Sequence, residues 1–257
     1  TTEDFYESFS KVVGKEGTLI FPLFNFDFAK SKFFNINSTP SKMGALSELA
    51  RLKEGLIRTG HPMYSFGIIG AKSNLFQNIN NISGYGKDSP FAMLLKIDAK
   101  IGILGLPEQN SMTFYHFVEE LRAVKYRHFK KFTGTYVDNN HILSEKTYKL
   151  YVRDLEKNVE TNVEPMGNLL WEKNLYNGFK YNEGNFFRTI KARDVYIQTN
   201  EINLIGTTKT LNKRKIIWDD DKLTVIMWML LHKGFSITDD SSKSNKKIAK
   251  VMNVKSS

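Results

Sequence analysis

At 257 residues, 41% of them apolar, the chain is long enough for one large domain, or one domain with an appendage, around a sizeable core. The absence of cysteine excludes disulfides, thiolate metal sites and a cysteine nucleophile, and no apolar run approaches the roughly 20 residues needed to cross a bilayer. The net charge of +10 is uneven, since Thr208 to Ser257 carries eleven Lys and Arg against five Asp, so the preceding body is only mildly basic and nucleic acid is an unlikely partner.

The opening TTEDFYESFSKVVGKEG is acidic and amphipathic, unlike a secretory signal, and points to a soluble, cytoplasmic protein. Without an initiator methionine, it reads as beginning inside the gene product or after a removed segment. Thr1 or Thr2 can cap a helix with Glu3 and Asp4 in its first turn, and Gly14 or Gly17 can close it. Thr18 to Phe28 reads as a strand, with Pro22 near an edge or bulge. A second helix is expected from Thr39 as cap and Pro40 as first residue, with Leu46, Leu49 and Leu52 on one side.

IRTGHPMYSFGIIG turns at Gly60 and runs as a strand to Gly70. Arg58, Thr59, His61 and Ser65 flank that turn; singly each reads as a turn or surface residue, and with the exposed N–H groups of the helix at Thr39 they could form an anion site. Ala71 to Gln77 and Ser89 to Leu95 are expected as short helices, and Lys100 to Leu106 as a buried strand.

That strand leads through Pro107 into a helix bearing Thr113, His116 and Glu119 on one face, with Glu120 adjacent. Phe114, Phe117, Val118 and Leu121 can supply the buried side. A carboxylate one turn from a histidine can fix its tautomer and leave one nitrogen as a base; the same spacing also describes an ordinary amphipathic helix with surface acids. The following KYRHFKKFTGTYVDNNHILSEKTYKLYVRDL reads as a β-hairpin around VDNNH. Its alternating aromatics and cations fit a single-strand platform or, more ordinarily, a half-buried ladder with a basic outer face. Asn162 to Gly178 is expected as a short helix containing Trp171. Near the end, Asp219 to Asp221 could cap a helix with Leu223, Ile226, Met227 and Leu230 as an apolar stripe.

STPSKMG, GHPMYS, KDSP and then Thr113, His116 and Glu119, in that order across roughly Glu3 to Arg193, resemble the aminoglycoside 3-N-acetyltransferase family, which moves an acyl group from coenzyme A to an amine on a sugar. RHFKKFTGTYVDNN and the stretch from YVRDLEKN to GNFFR resemble a branch acting on nucleotide-linked aminodeoxy sugars. The resemblance implies a three-layer α/β/α fold with a mixed sheet, here with a β-hairpin extension. It assigns residues 1–194 to the acyltransferase domain and leaves 195–257 as a divergent basic segment. It implies direct transfer with His116 as general base, Glu119 supporting it, Thr113 in the same cluster, and no metal. Thr39, Ser41, Arg58 and Ser65 are the expected coenzyme A contacts. Lys125 and Arg127, with Lys130 and Lys131 beyond, favour an anionic sugar nucleotide. Family members carry a further strand and a His-Ser turn before the opening helix, so part of the cofactor site is expected to be missing. An aminoglycoside acceptor, a non-catalytic binding protein of the same fold, and a homo-oligomer all stay open.

Overall fold

A computed structural model of the chain describes residues 1–30, 33–157, 162–181 and 187–205, with the side chains of 203–205 excluded. Helix α1 spans Thr2–Val13. Its start is a capping box: the Thr1 hydroxyl accepts the Asp4 N–H at 3.2 Å while the Asp4 carboxylate returns to the Thr1 amine, satisfying donors that a helix start leaves open. Gly14 closes it at φ 67°, a conformation that favours glycine.

Strand β1 covers Thr18–Pro22 and stops six residues short of the expected end. Pro22 lies where an edge strand gives out, as a residue without an N–H should, and the chain then turns through a 3-10 segment at Asp27–Lys30. Strand β2 is Phe34–Asn35 and helix α2 is Ala45–Arg51, beginning at Gly44. The expected second helix therefore starts five residues late, at Ala45 and not at Pro40. The Thr39 hydroxyl accepts the Asn35 N–H at 2.8 Å, Asn25 donates to the Pro40 carbonyl at 2.9 Å, and the Ser41 N–H binds Glu48 at 2.7 Å. These side-chain bonds hold residues 39–41 as a loop, in competition with a helical turn.

Strands β3 (Ile57–Arg58) and β4 (Phe66–Gly70) complete an antiparallel sheet ordered β1-β4-β3. Helix α3 (Pro90–Lys96) starts after Ser89 with Pro90 in its first turn, as expected. Then come β5 (Lys100–Leu104), α4 (Phe114–Leu121), the long pair β6 (Arg127–Val137) and β7 (Leu143–Arg153), α5 (Glu164–Glu172), β8 (Asn177–Gly178), β9 (Phe187–Lys191) and α6 (Ala192–Ile205). β6 and β7 are paired antiparallel from Arg127↔Arg153 to Val137↔Leu143, and β2 joins β6 in parallel, making this the mixed sheet. β5, β9 and β8 form the third sheet. Helices α1 and α2 pack together beside β1, while α4 packs against α3 and α6. The class is mixed α/β. α6 runs across residues 194 and 195. The expected Asp219–Asp221 cap and the Leu223 to Leu230 stripe lie outside the described residues. Among the described residues no helix is long and apolar enough to cross a membrane.

An aromatic chain in the core positions the functional helix. Phe24 and Phe66 meet edge to face at 5.2 Å, Phe66 meets Phe91 at 5.1 Å, and Phe91 meets Phe114 at 6.4 Å. Such pairs add about 0.5–1.5 kcal/mol each beyond burial, and here they tie the first sheet through α3 to α4. Gly70, opposite Thr18 in the register, has φ 122°, and a Cβ there would stand 2.3 Å from the Gly17 carbonyl oxygen. Gly70→Ala is expected to cost about 1–3 kcal/mol through backbone strain and overpacking, read as a lowered urea midpoint; an unchanged midpoint would contradict this close approach.

Candidate active site

The loop feeding α4 leaves β5 at Gly105 (φ 73°) and forms a 3-10 turn at Glu108–Asn110. Glu108 anchors it from below. Its buried carboxylate accepts from the Tyr115 hydroxyl at 2.6 Å and the Tyr176 hydroxyl at 2.8 Å, and Arg188 reaches it at 3.3 Å while donating to the Leu106 carbonyl at 2.7 Å. Burial pushes the Glu108 carboxyl above its usual range, opposed by Arg188 and the two tyrosines. Sequence reasoning missed Glu108 and Arg188, which stand 80 residues apart and carry no local signal of pairing.

In α4 the row of residues three apart is buried rather than exposed: Thr113 precedes the helix, and His116 and Glu119 lie within it at 8% and 0% exposure. Phe114, Phe117 and Val118 are buried as expected, but Leu121 is exposed. Glu119 is therefore not a surface acid. His116 Nδ1 stands 2.7 Å from Glu119 Oε2 and 3.1 Å from the Arg127 Nη2 nitrogen. With the proton on Nδ1 the ring donates to Glu119 and carries its lone pair on Nε2; with the proton on Nε2, Nδ1 accepts from Arg127.

Two further groups hold the acid. Arg127 Nε lies 2.9 Å from the same Glu119 oxygen, its Nη1 donates to the Tyr151 carbonyl at 3.1 Å, and the Tyr126 hydroxyl donates to Glu119 Oε1 at 2.7 Å. Burial opposes ionisation of Glu119, but Arg127, His116 and Tyr126 together outweigh it, leaving the carboxyl below its usual range. Arg127, expected to meet substrate, is 5% exposed and neutralises Glu119, because a buried carboxylate needs a partner of opposite charge. Tyr126, not foreseen, does its work from the residue before. Lys125 is exposed at the entry to β6.

The expected coenzyme A contacts also have other roles. Arg58, buried, donates to Ser65 Oγ at 3.1 Å and to the carbonyls of Thr39, Ile36 and Leu23 at 2.5, 3.3 and 3.2 Å. Ser65 in turn donates to Leu23. With no helix start at Thr39, these residues make a brace between β3 and the 36–41 loop, and they do not fit the phosphate cradle expected of Thr39, Ser41, Arg58 and Ser65. Arg58→Met should cost about 1–3 kcal/mol from carbonyls left unpaired, with an unchanged KM for acyl-coenzyme A; a raised KM in folded protein would restore the cradle. His61 belongs to the same framework. Its Nδ1 accepts the Met63 and Tyr64 N–H groups at 3.2 and 3.0 Å, and burial pushes its pKa down to about 3.

Two neighbours of the His116–Glu119 pair open onto a cleft. Tyr85 packs edge-on against the His116 ring at 5.2 Å, and Tyr85 and Arg127 both line an open cleft of about 650 Å³ between the Phe26–Ala29 turn, Tyr64 and the hairpin. A volume of this order suits a small-molecule site. Charged groups of both signs line it: Lys130 and Arg153, Asp154 and Glu156.

Residues 1–201 match the sequence pattern of the family described as aminoglycoside 3-N-acetyltransferase. The chain belongs to that family. As a family member it is an enzyme of the N-acetyltransferase class. Solved structures agree on the fold of this acetyltransferase. It resembles AAC-VIa bound to sisomicin (18% identity, 78% of this chain and 83% of that one, TM-score 0.65). It is similar to the YokD protein from Bacillus subtilis (19%, 77% and 78%, TM-score 0.62). It also matches AAC-IIIb in binary complex with CoASH (17%, 77% and 80%, TM-score 0.61).

Proposed function

We propose that this acetyltransferase family member acylates the amine of a nucleotide-linked amino sugar by direct transfer, with His116 as the general base. The observation that carries the reading is the His116–Glu119 contact of 2.7 Å, whose neighbours Tyr85 and Arg127 line an open cleft. Acyl-coenzyme A supplies the thioester carbonyl and departs as the thiol. A sugar ammonium must lose a proton before its nitrogen can attack, and His116 Nε2 takes it. Glu119 balances the imidazolium that results, and Arg127 and Tyr126 keep Glu119 ionised and in place. No enzyme nucleophile is needed when both substrates share one cleft, because proximity lowers the barrier.

Charge supports the choice of acceptor. β6 and β7 together carry six Lys and Arg against one acid, Glu145, and the cleft lining has both signs. A substrate bearing one amine and a diphosphate matches that mixture better than a polycation does. The second reading, an aminoglycoside acceptor, draws on Asp154 and Glu156, which could receive its ammonium groups. A thiol-release assay over acyl-coenzyme A donors, nucleotide-linked amino sugars and aminoglycosides decides between them. Transfer confined to aminoglycosides would sink the first reading. No turnover and no binding of millimolar coenzyme A would leave only a binding protein of the same fold.

A further inference from the structure

We propose that the hairpin wall of the cleft, formed by His128, Lys130 and Phe132 opposite Phe26, is a subsite for the nucleoside diphosphate half of the acceptor; this rests on the transferase reading above. In a strand, alternate residues share a face, so His128, Lys130 and Phe132 lie together, and all three line the cleft with Phe26. Lys130 is exposed and has no ion-pair partner among the described residues. Its Nζ stands 5.6 Å from the Phe132 ring. Phe132 and Phe26 are each half-buried, and Phe26 is held edge-on by Tyr64 at 5.3 Å.

Distances along the strand order the ligand. Arg127 contacts Glu119 from the alternate face of β6 and also lines this cleft; at the rise of an extended chain Lys130 lies roughly 10 Å and Phe132 roughly 17 Å further along the strand. That sequence of reacting base, cation and aromatic ring follows the order of sugar amine, diphosphate and nucleobase. Aromatic faces stack any base, so the class of ligand is specified while the base is not. Phe129, on the alternate face of the hairpin, does not line the cleft. It packs on Tyr151 at 4.8 Å and is covered by Lys149 Nζ at 4.0 Å.

Coenzyme A also contains an adenosine diphosphate, so the test separates the two sources. Calorimetric titration of the full chain with UDP, dTDP, inorganic diphosphate and desulfo-coenzyme A would be compared for wild type, Phe132→Ala, Phe132→Leu, Lys130→Ala and, as control on the other face, Lys131→Ala. Phe132→Leu keeps most of the volume but removes the aromatic face, guarding against loss of folding. UDP or dTDP should bind more tightly than diphosphate, and weaken tenfold or more in the Phe132 and Lys130 variants but not in Lys131→Ala. Weakening of desulfo-coenzyme A alone assigns the wall to the donor and overturns the proposal, as does unchanged nucleotide affinity in every variant. If nucleotides bind as expected but no nucleotide-linked amino sugar is acylated, the reaction assigned above fails while the subsite stands. If acylation proceeds with the same acceptor KM in all variants, the subsite fails and the reaction stands.

Discussion

Replacing His116 with alanine is expected to lower kcat for acyl transfer about 10²- to 10⁴-fold, the usual contribution of a positioned general base. His116 Nδ1 stands 2.7 Å from Glu119, so in the reading proposed above removal takes away the lone pair that would receive the amine proton. Stability should change little by comparison. Glu119 keeps Arg127 at 2.9 Å and the Tyr126 hydroxyl at 2.7 Å, so no buried charge is stranded. Thiol release would be measured under saturating donor and acceptor, with thermal unfolding alongside. A variant that folds and turns over at the wild-type rate would remove His116 from the chemistry.

Arg127→Met should have the largest effect on stability, about 3–5 kcal/mol, because deleting one partner leaves a buried charge uncompensated. Glu119 has no exposure at all and Arg127 only 5%. The double variant Arg127→Met with Glu119→Gln should recover part of the loss, since no charge then needs burying. The pH dependence has a defined sign. In the wild type the Glu119 carboxyl is held below its ordinary value, so its contribution is present above that value and is lost as pH falls through the lowered one. Without Arg127, burial acts with less opposition and raises the carboxyl; its contribution is then present at low pH and lost as pH rises through the raised value. Urea midpoints compared from about pH 5 to 8 should show the gap between variant and wild type widening with pH. A constant gap would mean that Arg127 acts through packing and not through charge.

The His116–Glu119 spacing was legible because residues three apart on a helix must share a face, whatever the rest of the chain does. What the spacing left open was whether that face met water or protein. Burial of Glu119 under Arg127 and Tyr126 decided it, and both of those residues come from the start of the hairpin. The burial of Arg127 was not legible for the same reason: nothing in a basic run tells that one of its cations has a buried acid beside it. Arg58 was misread. Its neighbours suggested an anion site, but three carbonyls from distant loops converge on its guanidinium.

Short-range chemistry in the amino-acid order was enough to determine the Thr1 capping box, the Ser89–Pro90 helix start, the hairpin and the polar row of α4, because each depends on residues a few positions apart. Only the tertiary structure decided that residues 39–41 form a loop, that Glu108 meets Arg188 across 80 residues, and that Tyr85, packed on the His116 ring, lines a cleft walled in part by the hairpin. Those outcomes depend on where long-range contacts bury charge and occupy hydrogen-bonding groups, and neither propensity nor periodicity carries that information.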